Sequence, residues 1–549
     1  MVPSRLNARP TRRFSYHLVA SVAAAALAAV LAACTAPATT ASSNTGGGGS
    51  SSSSSGSAAT GSGSITVGLN GAPDALDPTT ASTFDGRTVF ANMCQKLYDI
   101  NAQLGIVPQL ATSLPAISAD GKTYTIQLKQ GIVFNDGTPF NAAAVKTTLE
   151  HYLTDPQSAR AAELKGLTSV DATGPYTIVL HLSQPFAPLT SILADRAGMI
   201  LSPTQLKKLG NNFAQDPVCV GPFQFSSRPS LDTIILKKSP YYYGKANVHL
   251  AQITFEAITD QSTMAADLAS GQIQLGEQIA PQNVPSLKSN PSVTLKPQNS
   301  LGYEGLDINT GNVSGSLKPY GTASNPFATH PTLRQAFELS LNRTQLTKVA
   351  FDGLYSTTCS PIPSGSPWAV NMPCPAQNVA KAKQLIAATG MKTPIHVSLM
   401  IANDPLDQQI GSIIQSMAAP AGFAVSLQPV EFTTSLTKAA AGQFEMYIVG
   451  WSGRVDPDQN IFSDWYPQAA LNYTGAQDPA LDNLLLQARE STSDSQRKSL
   501  YTQAVQLMHQ ELNIIYLWDP TYYLGISKTV TGVQYLPDSL IRLENASVS

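Results

Sequence analysis

YTIQLKQGIVFNDGTPFNAAAVKTTLEHYL, residues 124–153, changes structural period within one run. Tyr124, Ile126 and Leu128 alternate with polar neighbours, which predicts a strand with one buried face. Asp136-Gly137 marks a turn. Asn141 stands where a helix cap belongs, and Val145, Leu149, Tyr152 and Leu153 fall on one helical stripe. A strand, a turn and a helix in succession point to an α/β chain.

The same alternation continues on both sides. YTIVLHL (176–182), QITFEAI (252–258), VSLMI (397–401) and NIIYLW (513–518) are predicted strands. STMAADLASGQIQL (262–275) reads as a helix stopped by Gly271 and followed by a short strand. HPTLRQAFELSLNR (330–343) carries Pro331 in a first helical turn, with Leu333, Phe337 and Leu341 on one face. AKAKQLIAATG ends at Gly390, and Asp478-Pro479 opens a helix bearing Leu481, Leu484, Leu485 and Ala488. Ser493 and Gln496 are spaced as a capping box for a last helix through Gln510. No short-period repeat is present.

The N-terminal region is of another kind. Arg5, Arg9, Arg12 and Arg13 precede an apolar run from Leu18 to Ala33. That run falls short of the roughly 20 apolar residues a comfortable span needs, and with its basic leader it reads as a secretory signal. Arg12-Arg13 lacks the surroundings of a twin-arginine signal. Leu31-Ala32-Ala33-Cys34 resembles the bacterial lipobox, which implies that Cys34 is acylated and becomes the new N-terminus. Residues 34–64 then form a Ser/Gly/Thr/Ala tract with no charge and no large apolar residue. Such a tract behaves as a flexible coil and suits a tether.

Beyond residue 64 about 480 residues remain, enough for two or three domains. Hydrophobic residues make up 43%, and no second apolar stretch is long enough to span a bilayer. The net charge of −2 gives no electrostatic footprint for nucleic acid or an anionic membrane. Cys94, Cys219, Cys359 and Cys374 make an even set, which suggests disulfides outside the cytoplasm. Cys359 and Cys374 flank the Pro-rich loop CSPIPSGSPWAVNMPC, so they are the expected pair, and Cys94 with Cys219 follows by elimination. Four buried thiols are the alternative. The seven His are scattered, and neither C-x-x-C nor H-E-x-x-H occurs, so no metal site or cofactor is expected. SLTK (435–438) and SQRK (495–498) match a serine acyl-transfer nucleophile motif, but no S-D-N or K-T-G accompanies them. No G-x-S-x-G, P-loop or dinucleotide fingerprint is found, and the chain is not expected to be an enzyme.

The order of segments resembles the bacterial extracellular solute-binding proteins of family 5, the peptide- and nickel-binding lipoproteins of ABC importers. The matching segments are LDP (76–78), LYD (97–99), DGKTYTIQLKQGIVFNDGTPFNAAAVKTTLEH (120–151), VGPFQF (220–225), LASGQIQL (268–275), LDINTGN (306–312), HPTLRQAFELSLNRTQL (330–346) and FEMYIVGWSGRVDPDQN (444–460). The resemblance implies the two-lobed periplasmic-binding-protein fold of the large peptide-binder type, with a hinge and a ligand cleft. Lobe I would take residues 65–305, with a subdomain near 104–195, and would be completed by 515–549. Lobe II would take 306–514. The implied function is capture of peptides by lobe closure and delivery to ABC permease subunits, by a monomer anchored by lipid outside the cytoplasm. The alternative is another solute: a nickel chelate, an opine, a glycan or an anionic conjugate. A lipoprotein enzyme or a sensor on the same fold is a further alternative.

Peptide-binding members use an aspartate in the GW…DPD loop to meet the peptide's α-amino group. Here that loop is Gly450-Trp451-Ser452-Gly453-Arg454-Val455-Asp456-Pro457-Asp458, shorter than in peptide binders, and Arg454 stands about where the aspartate would be. A guanidinium cannot accept an ammonium; it prefers a carboxylate or phosphate. Arg454 is therefore expected to face an anionic ligand group, unless it pairs with Asp456 or Asp458 and only shapes the loop. Trp451, Asp456, Asp458, Tyr303 and Arg87 are the other candidate ligand contacts that the resemblance implies.

Overall fold

The opening stretch folds as its pattern requires. In the computed structural model, which describes residues 63–549, Thr123–Gln127 is a strand with Tyr124 and Ile126 buried. Gly137 takes φ +80° in the turn, a conformation that favours glycine. Asn141 caps the helix Ala142–Thr154, its side chain accepting from the Ala144 amide at 3.0 Å. Val145, Leu149 and Tyr152 are buried, and Leu153 is only partly covered. The strand belongs to a four-stranded antiparallel sheet ordered Ala116–Ile117, Thr123–Gln127, Thr177–Leu182, Leu167–Gly174. The predicted leader, Cys34 and almost all of the predicted tether lie outside the described residues.

Two larger sheets form the lobes. The first has seven strands in the order Val293–Asn299, Thr521–Ser527, Leu275–Gly276, Ser64–Leu69, Gln252–Ala257, Thr233–Lys238, Phe223–Ser230. Its three central strands are parallel and its flanks antiparallel. The second has six strands in the order Ser356–Thr357, Ile514–Asp519, Tyr303–Ile308, Met446–Trp451, Ile395–Ala402, Phe423–Val430. One core lies under the seven- and four-stranded sheets together. Two others cover the faces of the six-stranded sheet, the second of them built with the helices Pro479–Glu490 and Asp494–Glu511.

The chain crosses between the two large sheets twice, at residues 300–302 and at Pro520. The Ser300 amide donates to the Pro520 carbonyl at 2.9 Å and ties the crossings together. The second lobe's sheet therefore begins at Tyr303, not at 306, and ends at Asp519, not at 514. An apolar run such as NIIYLW identifies a strand, but only its hydrogen-bonded neighbours decide which sheet it joins. The capping box at Ser493 is half made. Its hydroxyl accepts from the Gln496 amide at 3.4 Å, but the Gln496 side chain takes the Ser491 hydroxyl at 2.9 Å instead. Cys94 pairs with Cys219 and Cys359 with Cys374, at Cα separations of 5.0 and 5.4 Å. Among the described residues no helix is long and apolar enough to cross a membrane.

Candidate functional site

In open α/β sheets the crevice beyond the carboxyl ends of parallel strands is where ligands bind. In the first lobe these ends are Leu69, Ala257 and Gly276; in the second they are Ala402, Val430 and Trp451. The loop after Trp451 leaves one of them and meets the first lobe. Gly453 has φ +72°, and a Cβ there would overlap the Leu301 backbone, so the loop lies directly on the first crossing segment. Asn460 fixes it further: its side-chain oxygen accepts from the Arg454 amide at 2.6 Å and from the Trp451 indole at 3.1 Å. Its amide nitrogen donates to the Leu301 carbonyl at 3.2 Å.

So held, Arg454 reaches across to Asp195. Its Nε donates to Asp195 Oδ2, while Nε of Arg87 donates to Asp195 Oδ1 at 3.3 Å. The Ser452 hydroxyl accepts weakly from Arg87 and Arg454, at 3.5 and 3.3 Å. Arg87 lies one turn into the helix Phe84–Met93, and Asp195 follows the short helix Leu189–Ile192. All three side chains are buried. Burial would raise the Asp195 pKa, but Arg454 and Arg87 overturn that and hold it well below the usual carboxylate range. Burial lowers the Arg454 guanidinium to about 10; Arg87 adds to the effect and Asp195 opposes it. Two guanidiniums share one carboxylate, which leaves one positive charge uncompensated within the trio. The space left between Arg87, Asp195, Leu301, Arg454 and Gln459 is about 20 Å³, the size of one water molecule.

Trp451 forms the floor under Arg454, with the guanidinium 4.7 Å from its ring centroid. Tyr303, paired with Trp451 across the strands, turns into the interior and packs edge-on against Tyr516 at 4.7 Å. Asp456 and Asp458 do not pair with Arg454. Arg497 grips both oxygens of Asp456 at 2.9 and 2.7 Å, and Arg489 grips both oxygens of Asp458 at 3.0 and 2.8 Å. Both pairs are buried, and their arginines stand on the two long helices of the second lobe. The two aspartates shape the loop and have no free edge toward the cleft. A larger hollow of about 490 Å³ lies beside Ile395 and His396. It is at the far end of the strand whose other end is Ala402, roughly 20 Å away at ~3.3 Å per residue.

Residues 105–473 match the model of the bacterial extracellular solute-binding proteins, family 5 (middle region). The chain belongs to that family. Family 5 proteins are the extracytoplasmic solute receptors of ABC importers. This receptor is 26% identical over 510 residues to the glutathione-binding protein GsiB of Shigella flexneri, covering 90% of this chain and 96% of that one. It is similar to the binding protein AgaA of A. tumefaciens in complex with agropinic acid, at 26% identity and a TM-score of 0.77, over 89% and 99% of the two chains. The DppA protein of Helicobacter pylori in complex with the peptide STSA shares the fold, at 23% identity and a TM-score of 0.78, over 88% and 98%.

Sequence reasoning brought Arg87, Arg454 and Trp451 to one site but missed Asp195 and Asn460. Asn460 closes the quoted segment FEMYIVGWSGRVDPDQN, and an Asn after a turn-rich loop was its one signal. Asp195 had no signal of its own, because it lies 108 residues from Arg87 and 259 from Arg454.

Proposed function

We propose that this receptor captures a small, anion-bearing, peptide-like solute by lobe closure and hands it to a membrane permease. The observation that carries this reading is the buried trio of Arg87, Asp195 and Arg454, with two cations for one carboxylate across the lobes. A ligand carboxylate competes with Asp195 for the Arg454 fork, and bidentate geometry suits it. Closure follows when the ligand makes contacts in the closed form that it lacks in the open form. The relatives that bind glutathione and agropinic acid support an acidic solute, and the second supports an opine-like compound as the alternative. No turnover is expected. The reading also includes acylation at Cys34, which would keep the trap near its permease and raise its effective concentration there.

The deciding experiment is denaturation of the purified receptor followed by mass spectrometry of what it releases, then calorimetric titration with the compound found and with glutathione. A stoichiometric, unmodified, acidic small molecule is expected. A neutral or purely cationic compound, or a chemically altered one, would overturn the reading. Cys34→Ser should release the protein from membranes; retention without an acyl group would remove the anchor from the proposal.

A further inference from the structure

The ion trio is not the only place where the lobes touch. SQPFAPLTSI, residues 183–192, follows the strand Thr177–Leu182 of the four-stranded sheet and meets the second lobe at three points. The Ala187 amide donates to the Arg489 carbonyl at 2.9 Å. The Phe186 ring lies 4.9 Å from the Arg489 guanidinium, whose other contact is the Phe462 ring of its own lobe at 3.3 Å. The Ser191 hydroxyl donates to Gln459 Oε1 at 2.9 Å. Beside them a Cβ on Gly121 would stand 3.4 Å from the Thr492 methyl, so the hairpin before Thr123 also lies against the second lobe.

Each side of this contact is fixed to its own lobe. Phe186 and Leu189 are buried in the core that runs under both sheets of the first lobe, and the Tyr124 hydroxyl donates to the Phe186 carbonyl at 3.0 Å. Pro185 and Pro188 hold the backbone on either side of Phe186 and Ala187. Opposite, Arg489 ends the helix Pro479–Glu490 and is anchored by Asp458, while Gln459 stands in the helix Asp458–Trp465. A hinge motion about residues 300–302 and Pro520 therefore breaks all three contacts together and leaves each lobe's own packing intact.

These contacts differ in kind from the trio. A solute carboxylate competes with Asp195 for Arg454, but it has no means of replacing an aromatic ring or a backbone amide. None of the three uses the Arg87 or Arg454 guanidinium. Two hydrogen bonds and one ring–guanidinium contact bias the closed form by roughly 10- to 100-fold, enough to hold it and weak enough to reverse.

We propose that residues 183–192 form a strap that latches the first lobe to the second independently of any solute, so that the empty receptor rests closed and opens transiently to load. The strap then slows entry and exit alike and governs the rate of exchange more than the affinity.

The test needs no solute, so its failure leaves the acidic-solute reading standing. Small-angle scattering and deuterium uptake are measured on the empty, full-length receptor, on Phe186→Leu and on Ser191→Ala. The wild type should scatter as the closed form described above, with slow uptake at residues 183–192. Each variant should have larger mean dimensions and roughly 3- to 10-fold faster uptake in that segment, with uptake in Thr177–Leu182 unchanged. A wild type that scatters as an open form when empty, or exchanges 183–192 as fast as an exposed loop, overturns the proposal. So do variants with unchanged dimensions and uptake. If Phe186→Leu loosens its own core, uptake in Thr177–Leu182 rises as well, and the half-buried Ser191→Ala decides alone.

Discussion

Asp456 and Arg454 are two residues apart in one loop, yet their ion pairs have different standing. Asp456 is clamped by Arg497 of the same lobe, on a helix packed into the same core. Arg454 is met by Asp195 of the other lobe. The first pair is made when the second lobe folds and persists through any motion of the hinge. The second exists only while the lobes are together. One pair therefore belongs to folding and the other to the open–closed equilibrium, although both are buried and both are short.

Three substitutions separate them, and a pH titration reads a carboxylate beside the same loop. Arg497→Ala should have the largest effect, because it leaves Asp456 buried without its partner: about 3–5 kcal/mol of stability is lost, seen as a large drop in Tm of the ligand-free protein. Retained stability would show that the pair is not structural. Arg454→Ala should weaken binding of the acidic solute by roughly 10- to 150-fold, as a charge-assisted bond worth ~1.5–3 kcal/mol is lost. Arg454→Lys should recover only part of this, since the fork is lost. A loss of ligand-free stability with unchanged affinity would instead make Arg454 a loop strut.

Asp195→Asn should act on closure. It removes the charge that bridges Arg87 and Arg454, and we expect the ligand-free receptor to open, by about tenfold in population for ~1.4 kcal/mol. Small-angle scattering should report larger dimensions without ligand and compaction with it, while Tm changes little. Unchanged dimensions would place the clasp outside the hinge equilibrium. The smallest effect is on the pH dependence of stability. Burial first, then Asp407 and Asp404, push Glu304 up to about 8 from an ordinary value near 4.5. Between those values the folded protein keeps a proton that the unfolded chain releases, so ligand-free stability should fall as pH rises from about 4.5 to 8. Glu304→Gln should flatten part of that fall. What remains belongs in part to Asp407 and Asp464, which burial pushes up to about 7.

Much of this was legible without coordinates, for a local reason. The period of two at Tyr124, Ile126 and Leu128, the cap at Asn141 and the stripe through Val145, Leu149 and Tyr152 are consequences of neighbours in the chain. Arg454 was legible as an unusual charge in a loop, and the Cys359–Cys374 loop as a short closure. The partner of Arg454 was not. Asp456 and Asp458 were its nearest acids in sequence, and both are taken by arginines from helices tens of residues away.

The sequence by itself determined the alternation of strands and helices, the family and the residues that line the loop after Trp451. Each depends on local pattern or on segment order. Only the tertiary structure decided which charges are spent and which are left over. A carboxylate's state depends on what lies within a few ångströms of it in space, and in low dielectric that neighbour outweighs everything nearby in the chain. Asp195 is spent on Arg87 of its own lobe and on Arg454, which it meets only across the lobes, and Glu304, which has no acid or base beside it in the chain to mark it, has no partner among the described residues.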